Sequence, residues 1–502
     1  MSASGGWLKI HPNDSVVIAL RKYDQGERLT VDGHTITIRE LVPVGHKIAV
    51  QRIETGQHIV KFGYPIGHAC TTIEAGDWVH THNVRTNLND ELEYRYVPAT
   101  ADVMPAERAA QRSFQGYVRR NGDVGIRNEI WVLTTVGCIN KTAEALVKRA
   151  NRELHLAGVD GIYHYPHPYG CSQLGDDLVY TQAILRDLAL HPNAAGVLIM
   201  GLGCENNYIK LFQSVFEDGI DEARIKFLVV QEAADEMEEG MAKLEELVKH
   251  AQQFKRESVP LARLKIGMKC GGSDGFSGIT ANPLLGALSD ELIRHGGTSI
   301  LTEVPEMFGA ETILMDRACD EQVFDKTVQL INGFKQYYKR HDQVIYENPS
   351  PGNKEGGITT LEEKSLGCVQ KGGHAPVVDV LSYGKRVSVP GLNLVEGPGN
   401  DLVSVTALAA SGAQLVCFTT GRGTPFGGPV PTVKLSSNSA LAARKPGWID
   451  FDAGRLLDGV TMDELRDELL DYIIALASGE QQTNNEKNEH KEIAIFKDGV
   501  TL

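Results

Sequence analysis

Residues Leu264 to Pro283 read LKIGMKCGGSDGFSGITANP, an apolar run that breaks into a glycine-rich loop and then opens a helix. Asn282 is expected to cap the free amides of the first helical turn, and Pro283 at the first helical position gives up no needed donor. Strand, loop and helix in that order form the unit of an open α/β sheet. Cys270 falls where the strand ends, which is where such sheets bind ligands.

The same unit recurs upstream. Between residues 129 and 255 the strand-like segments EIWVLTTV, GIYHY, AGVLIM and IKFLVV alternate with helices starting near Thr142, Asp176, Asn206 and Ala233. That alternation predicts a mainly parallel sheet with helices on its faces. Three of these strands run into cysteine motifs, TTVGCIN at Cys138, HPYGCSQ at Cys171 and GLGCENN at Cys204, and Cys270 is the fourth. Packing thiols scatter through element interiors, so four thiols at four strand ends point instead to metal or cluster ligands. Sheet order is invisible in a sequence, which leaves their adjacency open.

Downstream, the strand TSILTEV places Glu303 at its end, with Glu306 and Glu311 just beyond, carboxylates suited to binding a metal or moving a proton. NPSPGNKEGGITTLEEKSLGCVQKGGH is expected to be a long Gly- and Pro-rich loop carrying Lys364 and Lys371, both able to hold a substrate carboxylate. Arg422 lies between glycines where AQLVCFTT opens into GRGTPFG and can form a bidentate carboxylate pair. The amphipathic MDELRDELLDYIIALASGE reads as a helix followed by a polar surface tail. GLGCENN lacks the third glycine of the dinucleotide fingerprint, so a nicotinamide site has little support.

The first 97 residues are of another kind: short β segments (VVIAL, HTITI, KIAV, HIVKF, WVHTH) separated by Gly, Asp and Pro. They hold His46 and Lys47 in GHK, and His80 and His82 in VHTH. If VHTH is a strand, the last two histidines share a face, which suits a metal or a polyol, although exposed strand histidines are the ordinary alternative. The expected division is a β domain over 1–97, a linker over 98–115, an α/β domain over 116–260 and a second, catalytic α/β domain over 261–502.

A chain of 502 residues exceeds one core, and its net charge of -15 disfavours nucleic acid or an anionic membrane as a partner. No run is long and apolar enough for a membrane span, no secretion signal is visible, and eight cysteines without a disulfide framework fit a reduced, cytoplasmic setting. Whether the chain forms a homo-oligomer is left open.

Read in order, HTHN, GDVGIRNE, VGCIN, HPYGCSQLGDD, GLGCENN, KCGGSDGFSGITANP, LTEVPEMFGAE, EGGITTLEEKSLGC and FTTGRGTPFGG resemble the altronate and galactarate dehydratase family over essentially the whole chain. The resemblance implies an amino-terminal SAF (β-clip) domain, α/β regions bearing the dehydratase signature, and an iron-dependent hydro-lyase of hexuronate breakdown. The implied reaction takes D-altronate to 2-dehydro-3-deoxy-D-gluconate. Galactarate or another sugar acid is the alternative substrate, and an NAD-dependent oxidoreductase or a non-catalytic sugar-acid binder is the alternative class. On this reading His46, Lys47, His80, His82 and Glu303 are the catalytic candidates, and Ser273, Asp274, Lys371 and Arg422 contact substrate. Iron is held either as a cluster on Cys171, Cys204 and Cys270 or as a single Fe(II) on His80 and His82.

Overall fold

The structure, a computed structural model, describes residues 2–4, 6–88, 94–96, 112–217 and 219–501. The amino-terminal unit is built from small antiparallel sheets. One runs Ser2–Ser4, Trp7–Lys9, Val16–Ala19, Lys47–Ala49, Trp78–Val79, and a second joins His58–Lys61, Tyr64–Ala69 and Val84–Arg85. The expected WVHTH strand stops at Val79, because His80 and His82 lie in the bend and turn that follow. The amide of His80 is drawn off by the Asn83 side chain at 2.9 Å, which closes that turn.

Two parallel sheets follow, as the alternation predicts. The first has the order Ile162–Tyr165, Glu129–Thr134, Ala194–Gly201, Ile225–Val229. The second has seven parallel strands in the order Val377–Leu381, Gly391–Val395, Thr298–Leu301, Lys265–Cys270, Leu415–Thr420, Thr432–Ser436, Phe451–Asp452. From Lys265–Cys270 the chain fills one side with Thr298–Leu301, the edge strand Val377–Leu381 and then Gly391–Val395 between them, and crosses to Leu415–Thr420 on the other. The strand ends at Cys270 and Thr420 therefore form the crevice in which open α/β sheets take their ligands.

Four local expectations are corrected. Helix Ala281–Arg294 begins where expected, but Asn282 is no cap: its side chain is buried, donates to Gly367 O at 3.0 Å and accepts from Thr419 Oγ1 at 2.6 Å. It ties the helix to the neighbouring strand end. The Gly- and Pro-rich stretch after Asn348 is not simply loop, since it contains helix Leu361–Cys368, capped by Thr360. All eight residues of that helix are buried, so no polar face exists to give a helical period. The polar carboxyl-terminal segment is no surface tail: Glu486 pairs with buried Arg127 at 2.7 Å, Ile493 and Ile495 are buried, and Thr501 bridges to Gln173. The linker expected over 98–115 lies outside the described residues as far as 111, while Ser113 opens a strand, Ser113–Val118, that pairs with Arg256–Pro260.

The amino-terminal unit does not stand apart. Val16, Ala49, Ile59, Ile66 and Val79 belong to one buried apolar cluster with Leu284, Leu361 and Leu366. Burial in that contact sets the electrostatics of the charged residues beside it.

Candidate functional site

At the crevice, the chain of Gly271 and Gly272 turns back under Thr420, with Gly421 N and Arg422 N donating to Gly272 O at 3.0 and 2.9 Å. The approach is too close for side chains: a Cβ on Gly421 would stand 2.2 Å from the Asp274 carboxyl carbon, and one on Gly275 would stand 2.1 Å from Gly45 O of the amino-terminal unit. Glycine there lets the two units meet backbone to backbone.

Beneath this contact lies a water-excluded ionic network. Lys47 and Lys61, on two strands of the amino-terminal unit, both reach Glu363, at 2.9 and 2.8 Å. Lys47 also donates to Gly357 O at 2.7 Å, and Thr359 donates to Glu363 through its amide and hydroxyl at 2.8 and 2.7 Å. The next residue of the same helix, Lys364, pairs with Glu306 at 2.9 Å. Glu306 accepts from the thiols of Cys270 and Cys368, each at 3.2 Å, and the two sulfurs are 3.3 Å apart. Lys371 completes the group, 3.0 Å from both Cys270 Sγ and Glu303. Glu303 takes a further bond from Cys270 N at 3.0 Å and pairs with Lys269, which also meets Asp401 at 3.0 Å.

Glu303 sits at φ +70°, ψ +53°, a left-handed conformation costing a non-glycine residue about 1–3 kcal/mol, of the kind that gathers at functional sites. Five buried ammoniums (Lys47, Lys61, Lys269, Lys364, Lys371) face four carboxylates (Glu303, Glu306, Glu363, Asp401), leaving one positive charge in excess. Burial lowers Lys47 to about 8, Glu363 working against that shift and Lys61 adding to it. Burial would raise the carboxyls of Glu363 and Glu306, but the lysines beside them hold both far below the usual range. The Cys368 thiol is pushed up by its hydrogen bond to Cys270 and by burial.

Above the network the crevice is polar and open. Exposed Arg422 pairs with Glu355 at 2.8 Å, and the carbonyl of Glu355 meets His46 Nε2 at 3.2 Å. Trp78 Nε1–H donates to His46 Nδ1 at 3.1 Å, so His46 is the neutral tautomer with its proton on Nε2. Trp78 in turn stacks on His80, ring centroids 5.0 Å apart, and leans on His82 at 5.5 Å. Burial, then the charge of Lys47 and the neighbouring His46, bring His80 down to about 3, and its Nδ1 is buried without a partner. Ser273 Oγ is also buried and unpartnered.

The structure thus gathers His46, Lys47, His80, His82, Ser273, Glu303, Lys371 and Arg422 around one crevice. Asp274 lies there too, but its carboxylate is filled by Ser277, Ser437, Asn438 and two backbone amides. Lys371 is fully buried against Cys270 and Glu303. Cys171 and Cys204 are not joined with Cys270: they are exposed on the four-stranded sheet, whereas Cys270 is buried with Cys368 on the other. Nor do His80 and His82 share a strand face, and among the described residues no histidine belongs to a group of three close ligand atoms. Cys270, Glu306 and Cys368 do bring three ligand atoms within 4.8 Å of one another, a set able to hold a metal ion. The same atoms already meet the ammoniums of Lys364 and Lys371, which a divalent cation would have to displace or adjoin, so they fit the lysines better than a metal.

Sequence reading missed Lys61, Lys269, Glu363 and Cys368. The signal was present in part: Lys61 in HIVKF and Lys269 in KIGMKC are charges inside apolar strands, where an ammonium needs a buried partner.

A seven-stranded parallel sheet with a charged switch-point crevice, closed by a small β unit, defines an α/β enzyme with a fused SAF domain. The chain belongs to the altronate/galactarate dehydratase family. Residues 5–87 match the altronate/galactarate dehydratase SAF domain, 116–252 the second domain of D-galactarate dehydratase/altronate hydrolase, and 261–501 the D-galactarate/altronate dehydratase carboxyl-terminal domain. It is 53% identical to altronate dehydratase of Escherichia coli (strain K12), over 99% of this chain and 100% of that protein. It is 54% identical to altronate dehydratase of Bacillus subtilis (strain 168), over 99% of each. Galactarate dehydratase (L-threo-forming) of Escherichia coli is 33% identical over 98% of this chain and 96% of its own.

Proposed function

We propose that this protein is a hydro-lyase that removes water across C2 and C3 of D-altronate to give 2-dehydro-3-deoxy-D-gluconate, in the cytoplasm. The observation that carries the reading is the 53–54% identity to two altronate dehydratases along almost the entire chain. The boundaries 1–97, 116–260 and 261–502 are proposed as its working units.

The reaction has two obstacles, a weakly acidic proton beside a carboxylate and a poor leaving group at C3. Arg422, at the open strand end, takes the substrate carboxylate in place of Glu355, and the excess positive charge beneath favours an anion over a neutral sugar. His80, neutral and with a free Nδ1, accepts the C2 proton. His46 is held by Trp78 and Glu355 to fix the cleft wall, with His82 at its rim. Lys47 and Glu303 belong to the network that keeps the floor charged and dry. Ser273 Oγ offers a hydrogen bond to a substrate hydroxyl. The proton taken by His80 is returned to the C3 oxygen, which leaves as water, and the resulting enol tautomerises to the 2-keto acid.

The test is anaerobic incubation with ferrous iron and a panel of aldonates and aldarates, reading 2-keto acid with and without NAD. The expected result is product from D-altronate without NAD. Product from galactarate but not altronate, or an absolute need for NAD, overturns the proposal.

A further inference from the structure

We propose that Cys138, Cys171 and Cys204 together hold an iron–sulfur cluster at the carboxyl edge of the four-stranded sheet. All three thiols are exposed, whereas Cys270, Cys368 and Cys417 in the other sheet's domain are buried. They follow three different strands of one sheet, Glu129–Thr134, Ile162–Tyr165 and Ala194–Gly201, with the first of these in the middle. Their loops are laced together within two or three residues of each cysteine. Gly137 N donates to Tyr169 O at 2.8 Å, Ser172 N to Asn206 Oδ1 at 2.7 Å, Asn207 N to Gly170 O at 3.0 Å, and Thr135 Oγ1 to Glu205 at 2.7 Å.

Each of the three cysteines is preceded by a glycine, and the lacing requires two of them, Gly137 and Gly170. A Cβ on Gly170, at φ +100°, would stand 1.8 Å from Thr135 O, and one on Gly137 would stand 2.8 Å from His167 O. Donors suited to sulfur accompany the thiols. Gln231 Nε2 lies 3.5 Å from Cys204 Sγ, and Gln173, two residues after Cys171, is 3% exposed with its Nε2 unpartnered. N–H groups directed at thiolate ligands stabilise an anionic cluster.

Soft thiolates select iron–sulfur clusters or zinc, and three of them leave one iron of a four-iron cluster without a protein ligand. The ligation does not rest on the hydro-lyase reading above.

The full chain, reconstituted anaerobically with ferrous iron and sulfide, is expected to bind about four iron and about four acid-labile sulfide, with thiolate-to-iron visible absorption. Mild oxidation should give the paramagnetic three-iron signal of a cluster that has lost its open iron. Cys138→Ser, Cys171→Ser and Cys204→Ser should each lower bound sulfide at least tenfold with unchanged circular dichroism, while Cys319→Ser, also exposed, keeps the full amount. Metal bound without sulfide, or Cys171→Ser and Cys204→Ser with full sulfide, overturns the proposal. Altronate turnover read in parallel separates the two readings: turnover without sulfide removes the cluster and leaves the hydro-lyase, and a cluster with no turnover of any sugar acid does the reverse.

Discussion

Replacing Glu363 by glutamine tests the network at its most exacting point. Glu363 is buried and receives Lys47 at 2.9 Å, Lys61 at 2.8 Å and two bonds from Thr359 at 2.7 and 2.8 Å. At these distances each ion pair is worth about 6 kcal/mol of gross attraction at an effective dielectric near 20. Desolvation of the three ions takes several kcal/mol apiece. Glutamine keeps the shape and can accept from one lysine, but it turns an NH2 toward the other and leaves two buried charges uncompensated. The expected cost is about 3–5 kcal/mol. Urea titration followed by tryptophan fluorescence, with hydrogen exchange of the amino-terminal unit, should show that unit loosening first. Adding Lys47→Met and Lys61→Met should recover most of the loss, because no charge is then left stranded around the glutamine. E363Q stability within about 1 kcal/mol of the parent, or no recovery in the triple variant, would refute the reasoning.

Lys47 gives a pH prediction of definite sign. Its folded value of about 8 lies below its ordinary 10.5, so between these the unfolded chain binds the extra proton and stability rises with pH. The rise should total about 3 kcal/mol from pH 8 to 10.5, be flat below pH 8 as far as this residue is concerned, and vanish in K47M when melting is compared across that range. Gly275→Ala drives a methyl toward Gly45 O, 2.1 Å away, and should cost about 1–3 kcal/mol and lower turnover by shifting the adjoining His46; denaturation and kcat measured together check it. His80→Ala should reduce kcat by about 10²–10⁴ with circular dichroism unchanged, and a near-normal rate would remove His80 from the chemistry. Arg422→Lys should raise KM more than it lowers kcat, since a point charge replaces a bidentate fork.

Strand ends were the legible part of this sequence. The alternation of strand and helix gave both parallel sheets, and the glycine-rich break after Cys270 marked the crevice before any neighbour was known. What stayed hidden depends on partners far apart in the chain. Glu363 looks like one more surface carboxylate in TLEEKS, and only Lys47 and Lys61, some 300 positions earlier, make it a buried hub. Leu361–Cys368 escaped as a helix because every side is buried, which erases the period that would announce it. Asn282 carries the signature of a cap yet serves one strand-end and one helix partner, a case of tertiary contacts overriding local preference. The cysteines were legible as a set but not in their grouping. Sheet order, unreadable in the sequence, divides Cys270 from the other three.

The two-turn helix Leu361–Cys368 has a further consequence for assembly. Its Glu363 belongs to the amino-terminal unit's lysines and its Lys364 and Cys368 to the sheet's carboxylate and thiol. The helix therefore acts as a key cut for two locks, and the small β unit cannot seat in a wrong register without stranding two ammoniums in an apolar joint. Were the connection between the units severed, the halves should find each other again with an affinity governed by that single carboxylate and lost in E363Q. Fidelity of docking, and not only stability, is written into the polar residues of an otherwise apolar seam.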